Sequence, residues 1–437
     1  MRHEDITLSQ QELHRYHLLR SVLDGKLTLT AAAAALGISL RHARRVKGQV
    51  ATHGASGVMH GNAGRAPAHT ISSALCTQVL TLSREKYPDA NDSHFTELLA
   101  THEGILLSRA TVARMRRAAG IAPKHKRRVT RQHHKRRERN AAMGAMVLWD
   151  GSTHRWFGAA HPVCCLMAAI DDATGQVVGA VFVPHECSAG YLTVLKQMVT
   201  TYGIPGSLYQ DRHSALKRND DSWSLEEQLA GRQDPTQVGA ALEALGITPI
   251  FALSPQAKGR VERLWGTLQD RLVVELRLAG ITTLEAANTW LPTFLARHQA
   301  QFAVAPQQTA AVWRPARRLD LDRLVAFRYQ ATVGHDNAVR LGGHIFDIPP
   351  GPRHTGYAKQ RVEVRQLLDG RWRIYRQDQL LLETPATPVV EPIRSYRRHR
   401  TARAAQEAVV LPAALAQPAA SGMRRTRGQG IKATRLA

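Results

Sequence analysis

The chain has 437 residues, with 59 Lys and Arg against 35 Asp and Glu, and a formal charge of +24. Such a balance says little about fold and much about partners, because polyanions are favoured through counterion release and electrostatic steering. Its four cysteines form no C-x-x-C pair and no apolar run reaches the roughly 18 residues of a membrane span, which excludes a disulfide scaffold, a zinc module and a membrane protein and leaves a cytoplasmic, nucleoid-associated protein as the expectation.

The length calls for about three or four modules. Residues 1–50 read as a first helical unit. Leu13, Tyr16, Leu19 and Val22 recur at helical spacing, an alanine-rich helix follows at 30–36, and the break Gly37-Ile38 leads into a basic helix that Ser39 caps. A helix, a glycine turn and a basic helix make the helix-turn-helix pattern, with Arg41, Arg44, Arg45 and Lys47 as its DNA-facing side chains. The alternative is a plain helical hairpin with a solvated basic face. Residues 51–70 are a Gly-, Ala- and His-rich linker. Residues 71–122 form a second helical, helix-turn-helix-like unit, whose last helix starts at Ser108, ends at Gly120 and carries Arg109 and Arg114. Residues 123–140 are a basic linker in which Lys126, Arg127 and Arg128 are set to meet phosphates.

Residues 141–300 alternate in type. Apolar runs at 145–157, 163–170 and 176–183 predict three strands, with a hairpin turn at Asp171-Asp172-Ala173-Thr174-Gly175. A helix over 188–202, a short strand ending at Asp211, a polar insertion at 212–235, a helix over 236–245 and a strand at 247–253 follow. The next helix covers 259–278, with Val261, Leu264, Leu268, Leu272 and Leu276 as its apolar stripe, and another covers 283–298. Residues 320–385 hold strands at 324–333, 338–348, 361–368 and 372–383, with Asp369-Gly370 as a hairpin signal, and predict a small β-barrel. Residues 386–437 read as a basic, disordered tail.

Three acids stand out. Asp150 ends the run Met146-Val147-Leu148-Trp149-Asp150, Asp211 follows Ser207-Leu208-Tyr209-Gln210, and Glu262 sits where a loop turns into a helix. Carboxylates are hard oxygen ligands for Mg²⁺, and a pair of such ions drives in-line displacement at phosphorus. Singly, each acid reads as a surface carboxylate. Their order and the motif around the third shift the balance toward metal binding. Lys258, Arg260 and Arg263 flank Glu262 as phosphate contacts.

The segments Leu148-Trp149-Asp150, Tyr209-Gln210-Asp211-Arg212 and Ser254-Pro255-Gln256-Ala257-Lys258-Gly259-Arg260-Val261-Glu262-Arg263 resemble the three signatures of bacterial insertion-sequence transposases of the DDE, retroviral-integrase superfamily. The resemblance spans nearly the whole chain. It implies a multidomain protein: N-terminal all-α helix-turn-helix units, a central α/β ribonuclease H-like core, and a C-terminal small β-barrel like that of Mu-type transposases. It further implies that Asp150, Asp211 and Glu262 are the catalytic metal ligands for two Mg²⁺ (or Mn²⁺) ions, that the partner is double-stranded DNA, and that a homo-oligomer bridges the ends. The chain departs from the pattern in the longer stretch between Asp211 and Glu262, which the insertion at 212–235 accommodates. With no P-loop, no nucleotide cofactor is expected. The rivals are an inactive or domesticated DNA-binding regulator on the same fold and a structure-specific nuclease.

Overall fold

The computed structural model describes residues 7–60, 62, 70–125, 137–218, 223–252, 259–389 and 392–393. Lys126, Arg127, Arg128, Lys258, the Ser254-Pro255-Gln256 loop and the tail from 394 lie outside the described residues.

The first unit contains α1 (Gln10–Leu23), α2 (Leu29–Ala35) and α3 (Leu40–His53). Ser9 and Glu12 close a capping box on α1, each side chain bonding the other's backbone N–H. Ser39 caps α3 through the N–H of His42. This helix buries Ala43, Val46 and Val50 and leaves Arg41, Arg44 and Arg45 exposed, with Lys47 half-buried. It runs to His53, so the start of the expected linker is helical. The second unit contains α4 (Ser73–Glu85), α5 (Asp92–His102) and α6 (Arg109–Ala118), packed around Val79, Tyr87, Phe95, Leu98, Leu99 and Val112.

The central region contains β1 (Met146–His154), β2 (Cys164–Asp171), β3 (Val177–Val183), α7 (Ser188–Thr201), β4 (Ser207–Gln210), α8 (Leu225–Ala230), α9 (Gln237–Ala244), β5 (Thr248–Phe251), α10 (Gly259–Leu278) and α11 (Leu284–Phe302). The five strands form one sheet in the order β3-β2-β1-β4-β5. β1, β2 and β3 are antiparallel neighbours, while β4 runs parallel to both β1 and β5. Pro249 is tolerated in β5 because that strand is at the edge. Alternation along β1 sends Val147 and Trp149 to the face covered by α7 and α9, and Met146 and Leu148 to the face covered by α10 and α11. Both faces are buried, which explains the near-continuous apolar runs.

The C-terminal region contains α12 (Leu321–Leu324), β6 (Phe327–Thr332), β7 (Ala338–Leu341), β8 (His344–Asp347), β9 (Arg361–Gln366), β10 (Trp372–Arg376) and β11 (Gln379–Thr384). Two expected single strands are hairpins. Residues 338–348 fold back at Gly342 and Gly343, both at positive φ, and 372–383 fold back at Gln377, also at positive φ. The expected barrel is replaced, among the described residues, by a four-stranded sheet ordered β11-β10-β9-β6 and a separate β7-β8 ribbon. Phe327, Val364 and Trp372 share one apolar core with Leu195 and Leu242, so this region packs on the α7 and α9 side. No described helix is long and apolar enough to cross a membrane.

Candidate active site

Asp150 stands in the middle of β1 rather than at its end, opposite Ala168 of β2. On its other side the β1–β4 ladder stops at Leu148 and Tyr209, because β4 is only four residues long. Asp150 and Asp211 each lie two residues past that last pair, Asp150 within β1 and Asp211 just beyond the end of β4, so they come level. Two-residue alternation puts Asp150 with Met146 and Leu148 on the face that α10 covers, the face to which Tyr209 of β4 also belongs. Asp211 Oδ1 accepts the N–H of His213 at 2.8 Å, which holds the carboxylate against its own turn.

Glu262 enters from the other layer. Val261, Leu264, Trp265, Leu268, Leu272 and Leu276 bury α10 against the sheet, and Glu262 lies exposed in the first turn beside that stripe. Its position near a helix N-terminus favours negative charge. Gln269 ties the same helix to β1, donating to Ser152 Oγ at 3.0 Å. The donor set fits a divalent ion in kind, since all three side chains are carboxylates. Among the described residues, however, no three His, Cys, Asp or Glu side chains already form a group able to hold a metal.

A fourth acid belongs to this neighbourhood. Glu186, in the loop between β3 and α7, accepts the Tyr191 hydroxyl at 2.5 Å and lies 3.7 Å from His213 Nδ1. A Cβ on Gly151, the residue after Asp150, would come within 2.8 Å of Glu186 Oε2, so this carboxylate lies directly against the β1 backbone. Burial, then the charge of Glu186, push the Tyr191 phenol far above its ordinary value, and Asp150 and Asp211 act in the same direction. The phenol therefore stays protonated and donates to Glu186. The signal in sequence was an acid three residues after the end of the third apolar run.

The other acids are structural. Asp171 accepts from Gly144 N and from the Thr174 N–H and hydroxyl, which fixes the hairpin turn. Burial raises the Asp172 pKa, but hydrogen bonds from Arg137, Asn140 and Arg260 outweigh it and hold the group below its ordinary value. Arg260, expected on DNA, is engaged by this buried carboxylate and by the carbonyl of Arg137. Glu275, weighed as another third ligand, pairs with His94 and Arg297 far along α10. Arg109, Arg114 and Arg263 are exposed. Trp149 is buried and donates to Gln210 Oε1 at 2.9 Å, which makes it a packing residue. Burial pushes the Cys165 thiol up to about 12, so it remains neutral filler.

No family model matches the chain. Its curated relatives include the putative transposase y4bF of Sinorhizobium fredii (strain NBRC 101917 / NGR234), 34% identical over 369 residues, which span 84% of this chain and 79% of the relative. They also include the transposase for insertion sequence IS1202 of Streptococcus pneumoniae, 33% identical over 332 residues, which span 67% of this chain and 68% of the relative. Solved structures with some likeness include a simian T-cell lymphotropic virus intasome in complex with PP2A regulatory subunit B56 gamma, at 14% identity and a TM-score of 0.29, over 73% of this chain and 100% of that one. Another is the HTLV-2 integrase catalytic core domain in complex with magnesium, at 17% identity and a TM-score of 0.23, over 34% of this chain and 86% of that one. Likenesses this distant bear on neither fold nor activity.

Proposed function

The chain belongs to the transposases, and from that premise we propose that it is one of the DDE, retroviral-integrase type, which binds the terminal inverted repeats of its element, cleaves at the ends and joins the new 3′-OH to target DNA. The observation that carries this proposal is the level placement of Asp150 within β1 and Asp211 just past the end of the parallel β4, with Glu262 in the first turn of the helix that packs on the same sheet. Asp150, Asp211 and Glu262 would hold the divalent ions, Mg²⁺ or Mn²⁺, and a bound pair supplies activation of an oxygen nucleophile and stabilisation of the leaving 3′ oxygen.

The chain's own residues do the rest. His213 holds Asp211 through its backbone N–H, and the Gln210 side chain locks Trp149 beside Asp150. Arg263, one step from Glu262, offers a cation to the phosphate backbone, where contacts position the strand rather than read it. Arg41, Arg44 and Arg45 on α3 are exposed together and suit a major groove. In the first step water attacks a phosphodiester and the 3′ oxygen leaves. In the second that 3′-OH attacks target DNA and displaces another 3′ oxygen, so bonds are exchanged and no nucleotide is consumed. Bridging two ends calls for more than one protomer. The work takes place in the compartment that holds the cell's DNA.

The test is a strand-transfer assay with the purified full chain, duplexes from the ends flanking its gene, a plasmid target and Mg²⁺ or Mn²⁺, run beside Glu262→Gln. Joined products that vanish in the variant support both the reaction and the third ligand. Ends bound but left uncut under both metals would replace the transposase by a DNA-binding regulator on the same fold.

A further inference from the structure

The insertion after Asp211 turns its polar groups inward and an apolar face outward. Its short helix α8 starts with a capping box, in which Ser224 Oγ accepts the Glu227 N–H and the Glu227 carboxylate accepts the Ser224 N–H. That carboxylate is buried, accepts the Asp234 N–H at 2.9 Å and pairs with Arg218, so it draws the two ends of the loop together. Leu225 and Leu229, four residues apart on one helix face, are 70% and 81% exposed, and Trp223 beside them is 42% exposed. Large apolar side chains clustered in the open on a folded loop mark a contact surface.

The setting of this knob is acidic in a basic chain. Residues 219–235 hold Asp220, Asp221, Glu226, Glu227 and Asp234 against Arg232 alone. A polyanion is repelled there, whereas a second copy of the chain, at +24, is attracted.

A matching hollow lies at the other end of β4. A cavity of about 760 Å³ opens at the C-terminal end of α7, before β4 begins, and Tyr202, Trp313 and Leu319 line it. The Tyr202 and Trp313 rings pack together at 5.7 Å, and Leu319 is 42% exposed. The acids of the cavity are engaged, Asp322 by Lys196 at 2.5 Å and Asp320 by Arg373 at 3.7 Å, while Arg317, which also lines it, is exposed. The insertion leaves β4 at its C-terminal end, so a chain presents its knob away from its own hollow.

We propose that the knob of Trp223, Leu225 and Leu229 docks into the hollow of Tyr202, Trp313 and Leu319 on a second copy of this chain, with the acidic loop against Arg317. Apolar burial drives the contact and the charges set its register. Because it joins two different patches, a chain that keeps only the knob still binds a chain that keeps only the hollow. The contact needs no DNA and stands apart from the joining reaction proposed above.

Sedimentation velocity on the full chain without DNA tests it. Wild type is expected to associate as its concentration rises, and less so at high salt. Leu225→Gln with Leu229→Gln removes the knob, and Arg317→Glu with Leu319→Gln spoils the hollow. All four side chains are exposed, so the fold tolerates these changes. Each double variant alone is expected to associate at least about tenfold more weakly. An equimolar mixture of the two is expected to recover a dimer through the intact knob of one and the intact hollow of the other. A wild type that stays monomeric at every concentration, variants that associate like wild type, or a mixture that recovers nothing would each overturn the contact. A knob variant that still associates but binds an end duplex more weakly in fluorescence anisotropy would overturn it too, and would assign the knob to DNA.

Discussion

Glu186 adds a carboxylate against Gly151 and His213, the chain neighbours of Asp150 and Asp211. The Tyr191 hydroxyl donates to it, a bond that holds the side chain toward Gly151. It reaches the proposed metal ligands only through their neighbours, His213 beyond Asp211 and Gly151 after Asp150, so the role we propose for it is a positioning one. Groups that orient metal ligands from behind cost about 10–100-fold in activity or metal affinity when removed. Glu186→Gln is accordingly expected to slow strand transfer by about that factor, with end affinity in the absence of metal unchanged and partial recovery in Glu186→Asp. Strand transfer at the wild-type rate in Glu186→Gln would place Glu186 outside the active site. Its proximity could not be read along the chain, because the contact joins a loop after the third strand to the middle of the first.

At the scale of the element, α10 does more than its apolar stripe announced. Val261, Leu264, Leu268, Leu272 and Leu276 were legible from their spacing and do bury the helix on the sheet. Val274 falls off that stripe, and only its contact with the helical unit shows that the helix is buried on two sides. The same junction has a pH dependence. Burial, then the charge of Arg271, lower the pKa of His298 on α11 from 6.5 to about 4. The folded state thus refuses a proton that the unfolded chain accepts. The stabilisation is complete above about 6.5 and is lost as pH falls toward about 4. The loss between neutral pH and about 4.5 is on the order of 2 kcal/mol. Glu97 and Glu275 are held below their ordinary value of 4.5, so they act lower on the scale. Urea melts of His298→Gln should show a flatter acid limb between pH 6.5 and 4.5 than the wild type, and parallel limbs would rule the histidine out. The β-hairpins at Gly342-Gly343 and Gln377 were read as continuous strands because the flanking residues favour strand on both sides. Gln377 at positive φ carries no turn signal of its own.

For the whole molecule, a charge of +24 is spread over units with different tasks. Some of it is internal: Arg116, Arg260 and Arg365 are committed to carboxylates within the fold. Arg44 and Arg45 are exposed on α3 and free of that duty in the core. Replacing both by Ala should weaken binding to the element's own ends and lower the salt slope by about two, with α3 still folded by circular dichroism. Undiminished affinity would remove α3 from recognition. Sequence alone determined the strong positive charge, the order of the elements in the central region and the choice of three acids as candidates, because charge and period are local properties. Only the tertiary structure decided that Asp150 lies inside its strand, that Arg260 serves Asp172, that Glu186 reaches Gly151 and His213, and that Val274 of the helix bearing Glu262 is buried in the core of a helical unit. Each of these depends on contacts between residues far apart in the chain, which spacing along one segment does not encode.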